Sequence, residues 1–325
     1  MAELSDWAFP EEVRARPELL QFDLLAALGA ITLLRTKIPE DAFTASILGT
    51  ERVGNAVAID ADGLFLTIGY LITEADSLWL TAGDGTVVPG HALAFDYATG
   101  FGLVLPLGRL DLKPLARGSA ATVSAGSRVI VLSHGGLGHA LEARVIAKRE
   151  FAGYWEYVLD EALFTAPAHP HWSGAALLDE AGRLLGIGSL LVQETTQSGE
   201  RIDANMFVPI DLLEPILEEM SKTGRPTQAP RPWLGMYTME MQGHLVVSGL
   251  AEQGPAARAG VRLGDRVLQV AGQPVSGLAE LFRSIWRLGP VGTDVPLTLA
   301  RGRSQPLVKV RSADRNDYLR KPQQH

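Results

Sequence analysis

The chain has 325 residues, 46% of them hydrophobic and 20% charged, which is the composition of a folded globular protein with room for two domains. A net charge of −8 excludes a general nucleic-acid-binding surface, because phosphate binding requires clustered lysines and arginines. Cysteine is absent, which excludes disulfides and thiolate zinc sites, so the hydrophobic cores must supply the stability.

Residues 1–29 are predicted to form a helical extension. Residues 1–9 are acidic and aromatic and lack the positively charged segment of a secretory signal. The most apolar early run, residues 19–34, is interrupted by polar residues and is too short to cross a bilayer, which takes roughly 20 apolar residues. We therefore predict a cytoplasmic protein without a membrane span, or a periplasmic one if a leader has been removed.

Short apolar runs separated by turn residues follow, from residue 30 to about residue 210. Examples are residues 55–60, 64–67 and 128–133. Many short runs at this spacing, with few helical periods, predict an all-β sandwich or a pair of β-barrels. Apolar residues at 210–220 recur at helical spacing and predict an amphipathic helix.

The domain boundary is predicted from composition. Residues 221–232 contain three prolines and a glycine and are assigned to a linker. The first domain is therefore placed at residues 30–220 and a second, α+β domain at residues 233–311. A helix at 278–288 presents its apolar residues on one face. Residues 312–325 are predicted to be a flexible tail.

Three stretches of the first domain resemble the HtrA-type trypsin-like serine proteases, which carry a C-terminal PDZ domain. Residues 54–67 resemble the glycine-led hairpin that delivers the general base of a catalytic triad. Residues 96–105 resemble the strand that carries the triad acid, and residues 165–187 resemble the nucleophile loop and the hairpin after it. The resemblance covers residues 40–311 and implies a mainly β fold, a trypsin-like double β-barrel followed by an α+β PDZ domain.

Two of the three triad positions are altered in this sequence. The resemblance places the nucleophile at Ser173, the base at Tyr70 and the acid at Gly100. A serine hydroxyl is a poor nucleophile unless an imidazole accepts its proton and a carboxylate orients that imidazole. The pKa of free tyrosine is near 10, so a phenolate at pH 7 costs about 4 kcal/mol. Glycine offers no side chain to assist it.

A third change lies in the oxyanion loop. His171 stands two residues before Ser173, where the family has a glycine whose backbone N–H helps to bind the oxyanion. A side chain there restricts the backbone, because conformations open to glycine become costly. The sequence therefore predicts a pseudoprotease that binds unfolded or C-terminal peptide segments through its PDZ domain and its vacated cleft.

Two other functions remain open from the same residues. One is an active serine endopeptidase in which His169 or His171 replaces the base and Asp96, Asp160 or Glu161 orients it. The other is a structural subunit of a complex. Whether the protein is an enzyme is therefore left open. No cofactor is predicted, and no metal site either, because no acidic ligand accompanies the two histidines in the sequence.

The second domain resembles the circularly permuted PDZ domain of the same family. Residues 233–236 resemble the turn that binds a terminal carboxylate, and residues 250–265 resemble the short helix and Gly-Asp turn of such domains. A PDZ domain adds an extended peptide to one sheet edge and holds the peptide's carboxylate with backbone N–H groups. The predicted peptide-binding residues are Trp233, Leu234, Gly235, Met236, Tyr237, Leu281, Phe282 and Ile285.

The resemblance also implies an oligomer. Members of the family usually assemble as trimers through N-terminal aromatic residues. Trp7, Phe9 and Phe22 are the candidates in this sequence, and a homotrimer is the oligomer they predict.

Overall fold

The structure, a computed structural model, describes residues 7–195, 199–225 and 228–320. Parts of the predicted N-terminal extension, linker and tail, at residues 1–6, 226–227 and 321–325, lie outside the described residues. The chain forms two compact units. Unit 1 comprises Met1–Arg149, Glu161–Pro226 and Arg320–His325, and unit 2 comprises Glu150–Asp160 and Thr227–Leu319.

The first closed β-barrel belongs to unit 1. Its strands are β1 (Ile31–Lys37), β2 (Glu51–Ala58), β3 (Phe65–Ile68), β4 (Ser77–Thr81), β5 (Val87–Phe95) and β6 (Phe101–Pro106). They are antiparallel in the order β1-β2-β3-β6-β5-β4, and β1 pairs with β4 to close the barrel. Leu34, Leu66 and Phe101 on these strands are fully buried, as a barrel interior requires.

The second closed barrel follows along the chain. Its strands are β7 (Arg128–Leu132), β8 (Leu141–Gly153), β9 (Tyr157–Ala166), β10 (Ala176–Leu178), β11 (Leu184–Thr195) and β12 (Arg201–Pro209). Their order is β10-β11-β12-β9-β8-β7, closed by the pairing of β10 with β7. Val129, Leu163 and Phe207 contribute to its hydrophobic core.

Helices are few and short in unit 1. They are α1 (Leu24–Gly29), α2 (Ala45–Leu48) and α3 (Glu214–Thr223). Within the described part of the predicted extension, residues 7–29, the helical segments are α1 and a 3-10 turn at Pro17–Leu19. The helix predicted at 210–220 begins as a 3-10 turn, and Pro215 lies in the first turn of α3, where its missing N–H breaks no helical hydrogen bond. Among the described residues, no helix has the length and apolar character needed to cross a bilayer.

Unit 2 contains one sheet and two helices. The strands are β13 (Met236–Met241), β14 (His244–Leu250), β15 (Arg266–Val270), β16 (Gln273–Pro274), β17 (Asp294–Ala300) and β18 (Leu307–Arg311), and the helices are α4 (Pro255–Arg258) and α5 (Leu278–Trp286). The sheet order is β13-β14-β15-β17-β18, with β16 paired to β15. Strand β13 is therefore an edge of this sheet, as the sheet is built from the described residues.

The hairpin between β8 and β9 belongs to a different unit from the strands on either side of it. The sequence assigns residues 30–220 to the first domain, whereas Glu150–Asp160 belongs to unit 2. The physical reason is packing, because Val158 from this hairpin is buried in the core formed by residues of β13 and α5, including Met236, Leu281 and Phe282.

Candidate active site

Ser173 lies in the loop between β9 and β10 and is held against strand β2. The Ser173 carbonyl accepts hydrogen bonds from Asn55 N, at 2.8 Å, and from Asn55 Nδ2, at 3.0 Å. The same amide group donates to the carbonyl of His171, at 3.0 Å. A Cβ atom on Gly54 would lie 2.7 Å from the Ser173 carbonyl oxygen, so glycine is required where β2 passes the loop.

A second glycine shapes the turn after the serine. Gly174 has a φ of +74°, and a Cβ atom there would lie 2.0 Å from the Asn55 carbonyl oxygen. Its N–H donates to the carbonyl of Gly188, at 2.9 Å. The loop is thus tied to β2 on one side and to β11 on the other.

Tyr70, which the resemblance places at the base position, contacts the serine directly. It lies in the 3-10 turn Gly69–Leu71 that follows β3, with its Oη atom 2.7 Å from Ser173 Oγ. The phenol donates its single proton to the carbonyl of Ser189, at 2.9 Å. The serine hydroxyl therefore donates to the phenol oxygen. Desolvation of the hydroxyl end raises the pKa of Tyr70 to about 12, so this acceptor stays neutral at ordinary pH.

Gly100 reaches the same region only through its backbone. Its carbonyl accepts from Gly69 N, at 2.7 Å, and its N–H donates to the Asp96 carbonyl, at 2.8 Å. Its φ is +85°, a left-handed conformation that favours glycine. Gly100, the predicted position of the acid, thus supports the turn that carries Tyr70 and supplies no carboxylate.

The three carboxylates proposed as substitute acids have other partners. Asp96 accepts hydrogen bonds from the backbone and hydroxyl groups of the turn that follows it. Asp160 pairs with Arg283, and Glu161 pairs with Lys148. The three carboxylates thus contact other groups, and the alternative in which one of them orients a substitute base stays a prediction.

His169 is a structural residue whose ring is fully buried. Its Nδ1 atom accepts from the backbone N–H of His171, at 2.9 Å, so the ring proton resides on Nε2. Nε2 lies 2.9 Å from the carbonyl of His139, to which it donates, and 3.1 Å from Ser133 Oγ. Burial lowers the pKa of His169 to about 4. Both ring nitrogens therefore already have hydrogen-bond partners, which weighs against His169 as a substitute base, and that role stays a prediction.

His171 is committed in a different way. Its backbone N–H is the donor that the family resemblance assigns to the oxyanion hole, and it is bonded instead to His169 Nδ1. Its ring packs edge-on against Trp7, with centroids 5.2 Å apart, and against His139, with centroids 5.6 Å apart. His171 lies close to Ser173 in the loop, but its ring does not hydrogen-bond to the serine hydroxyl. Among the described residues, that hydroxyl bonds to Tyr70.

Sequence reasoning missed the role of Asn55. Its side chain is buried and makes three hydrogen bonds, donating to the two loop carbonyls and accepting from His134 N, at 2.7 Å. The available signal was an amide immediately after a glycine within an apolar strand, since a buried amide must find partners.

The N-terminal aromatic residues contact their own chain. Trp7 stacks on His139, with centroids 4.3 Å apart, and Phe9 packs against the core of the second barrel. Phe22 lies against Gly182, where a Cβ atom would approach its ring to 2.5 Å. All three are partly buried in these contacts, and the homotrimer stays a prediction.

The predicted peptide-binding residues of unit 2 fall into two groups. Met236, Leu281, Phe282 and Ile285 belong to the hydrophobic core, as does Leu234 of the turn, and Tyr237 is 9% exposed. Val158 of the hairpin Glu150–Asp160 is buried in the same core. Trp233, Leu234 and Gly235 form the turn before β13, in which Gly235 has a φ of +68°. The N–H groups of Leu234, Gly235 and Met236 all donate to one carboxylate, that of Glu156.

Both parts of the chain match known domain families. Residues 54–187 match the trypsin-like peptidase domain, and residues 246–301 match the PDZ domain. The chain is 26% identical to Protease Do-like 1, chloroplastic, of Arabidopsis thaliana, over 92% of this chain and 74% of that protein. It is also 26% identical to a probable periplasmic serine endoprotease DegP-like of Halomonas elongata, over 81% of this chain and 56% of that protein.

Solved structures agree on the fold. The HtrA-type protease AlgW with tripeptide aligns with a TM-score of 0.52 at 20% identity, over 92% of this chain and 97% of that chain. The serine endoprotease from Yersinia pestis aligns with a TM-score of 0.51 at 19% identity, over 90% of this chain and 98% of that chain. The predicted mainly β fold, with a trypsin-like barrel domain and a PDZ domain, is confirmed.

Proposed function

We propose that this chain, which has the architecture of an HtrA-type protease with one PDZ domain, binds polypeptide segments and does not hydrolyse them efficiently. The observation that carries the proposal is the hydrogen bond of 2.7 Å between Ser173 Oγ and Tyr70 Oη. In this contact the nucleophile donates to a neutral phenol, which cannot take the serine proton as an imidazole does.

The remaining parts of the machinery support the same conclusion. Gly100 supplies no carboxylate, and loss of the acid alone lowers the rate of a serine triad by about 10⁴-fold. The His171 N–H is bonded within the loop, and loss of one oxyanion-hole donor costs about 10²–10³-fold. Base, acid and oxyanion donor are thus altered together at an otherwise preserved serine.

The proposed ligands are unfolded or C-terminal peptide segments. Two of the solved HtrA-type structures contain a tripeptide and a decapeptide, which supports a peptide ligand here. In unit 2 the turn before β13 holds a carboxylate with three backbone N–H groups, the chemistry that a peptide C-terminus requires. A cytoplasmic location stays a prediction, since the names of the relatives are chloroplastic and periplasmic.

A fluorophosphonate probe tests the catalytic half of the proposal. We expect wild-type protein to remain unlabelled under conditions in which trypsin reacts completely, because the probe reports an activated serine. The matched control is Ser173→Ala, which is expected to give the same background signal by mass spectrometry. Stoichiometric labelling that disappears in Ser173→Ala would instead establish the alternative function, an active serine endopeptidase.

A further inference from the structure

The carboxylate-binding turn of the PDZ domain is occupied by a side chain of the same chain. Glu156, at the tip of the hairpin Glu150–Asp160, accepts hydrogen bonds from Gly235 N at 2.8 Å and from Met236 N at 3.2 Å. Leu234 N lies 3.1 Å from each of its two carboxylate oxygens. These are the backbone donors that would otherwise hold a peptide's terminal carboxylate.

The main chain of the hairpin also forms a hydrogen bond with the edge strand of the sheet. Thr238 N, on the edge strand β13, donates to the carbonyl of Tyr154, two residues before Glu156, at 3.2 Å. An extended peptide bound to a PDZ domain makes contacts of this kind with a sheet edge. Val158, two residues after Glu156, is buried in the adjoining core. The hairpin thus combines a carboxylate, a backbone contact and an apolar side chain.

Glu156 has a backbone conformation that its contacts must stabilise. Its φ is +64°, in the left-handed region that is costly for a residue with a Cβ atom. Such a conformation persists where the surrounding contacts outweigh its cost, and it occurs often at ligand-binding and switch sites. Arg283 adds ion pairs to Glu150 and Asp160 at the two ends of the hairpin, but they are exposed and contribute little.

We propose that the hairpin Glu150–Asp160 is an internal pseudo-ligand of the PDZ groove, in which the Glu156 carboxylate competes with the C-terminal carboxylate of an incoming peptide. This inference rests on the proposed peptide binding and describes how that site is regulated. A peptide binds after the hairpin has left the groove, so its apparent affinity is lowered by the fraction of molecules in which the groove is open.

The full-length protein and its Glu156→Ala variant provide the test. Amide hydrogen exchange at Leu234, Gly235 and Met236 is expected to be at least tenfold faster in the variant, because its turn has lost the acceptor. Binding to an array of random decapeptides with free C-termini is expected to rise at least tenfold, while the amidated array stays unbound. Glu252→Gln, an exposed acid in the same unit, is the matched control and is expected to behave as wild type.

The possible results distinguish a failure of the pseudo-ligand inference from a failure of the proposed peptide binding. Unchanged exchange at the turn in Glu156→Ala overturns the pseudo-ligand. Equal, carboxylate-dependent binding by wild type and variant also overturns it, while supporting peptide binding. Faster exchange with no peptide binding by any protein supports the pseudo-ligand and contradicts the proposed function. Glu156→Leu keeps a side chain of similar length without an acceptor atom and repeats the comparison if the alanine variant does not fold.

The occupancy of the groove is also expected to depend on pH. Desolvation raises the pKa of Glu156 from 4.5 to about 7, against the opposing effects of the backbone N–H groups and Arg315. The phenols of Tyr237 and Tyr154 are the other titratable groups around this site. Between pH 4.5 and 7 the docked hairpin therefore holds more protons than the released one. Rising pH favours release across this window and has no further effect above it.

Peptide binding at pH 5 and pH 7.5 measures this dependence. Wild-type binding to the free-carboxylate array is expected to strengthen with rising pH, by up to tenfold per pH unit within the window. The Glu156→Gln variant, which cannot titrate at this position, is expected to lose the increase. Wild-type binding that weakens with rising pH, or does not change, would contradict the expectation.

Discussion

The Tyr70→His variant is expected to remain without measurable endopeptidase activity, at least about 10⁴-fold below a complete serine triad. The substitution places an imidazole on the turn whose side chain already reaches Ser173 Oγ, at 2.7 Å. No carboxylate stands at Gly100 to fix its tautomer and stabilise its charge. The oxyanion is also poorly held, because the His171 N–H remains bonded to His169 Nδ1.

Adding an acid at residue 100 is expected to help little. The φ of Gly100 is +85°, so Gly100→Asp places a side chain on a backbone that favours glycine. Hydrolysis of fluorescein-labelled casein and labelling by a fluorophosphonate would be measured for Tyr70→His and for Tyr70→His combined with Gly100→Asp. Ser173→Ala in each background is the control. Casein hydrolysis by Tyr70→His that disappears with Ser173→Ala would show that the oxyanion loop is competent after all.

Acid is expected to destabilise the barrel unit through His169, by roughly 3 kcal/mol of unfolding free energy between pH 6.5 and pH 4. Burial holds the pKa of His169 at about 4, below its usual value of 6.5, against the opposing effect of the hydrogen bond to the His139 carbonyl. The unfolded chain therefore binds a proton in this window that the folded chain does not bind. Stability is present above pH 6.5 and is lost as the pH falls.

Urea unfolding at pH 7.5, 5.5 and 4.5, followed by tryptophan fluorescence, measures the effect. His169→Gln is expected to cost roughly 2–4 kcal/mol at pH 7.5, because buried backbone groups lose partners, and to be less sensitive to acid than wild type. His91→Gln, at an exposed histidine of the first barrel, is the control and is expected to retain the full dependence. A wild-type unfolding free energy that stays constant from pH 7.5 to 4.5 would contradict this assignment.

Much of the fold could be predicted because its signals are local. Short apolar runs separated by turn residues predicted the barrel strands, and the residues around Gly54, Ser173 and Gly235 indicated the peptidase-like and PDZ domains. The helix predicted at 210–220 is a 3-10 turn at Ile210–Leu212 followed by α3, which begins at Glu214 and so places Pro215 in a first turn that tolerates it. Such patterns depend on neighbours in sequence, which are visible without coordinates.

The hydrogen-bond partners of the candidate active site were harder to predict from the sequence. The sequence suggested His169 as a substitute base, whereas its two nitrogens are occupied by groups at positions 171 and 139. Asn55 was passed over within a strand, although its side chain organises the serine loop. Each of these roles depends on which distant polar group reaches a buried atom, and that cannot be read from spacing.

The sequence by itself determined the two-domain architecture, and it predicted that Tyr70 and Gly100 stand where a serine triad has its base and its acid, because both follow from residue identity along the chain. Only the tertiary structure decided that the tyrosine hydroxyl binds the serine and that Glu156 fills the carboxylate turn. Hydrogen bonds form between groups within about 3 Å of each other, whatever their separation in sequence. Glu156 and Gly235 meet this condition across 79 positions of the chain, and the folded backbone alone brings them together.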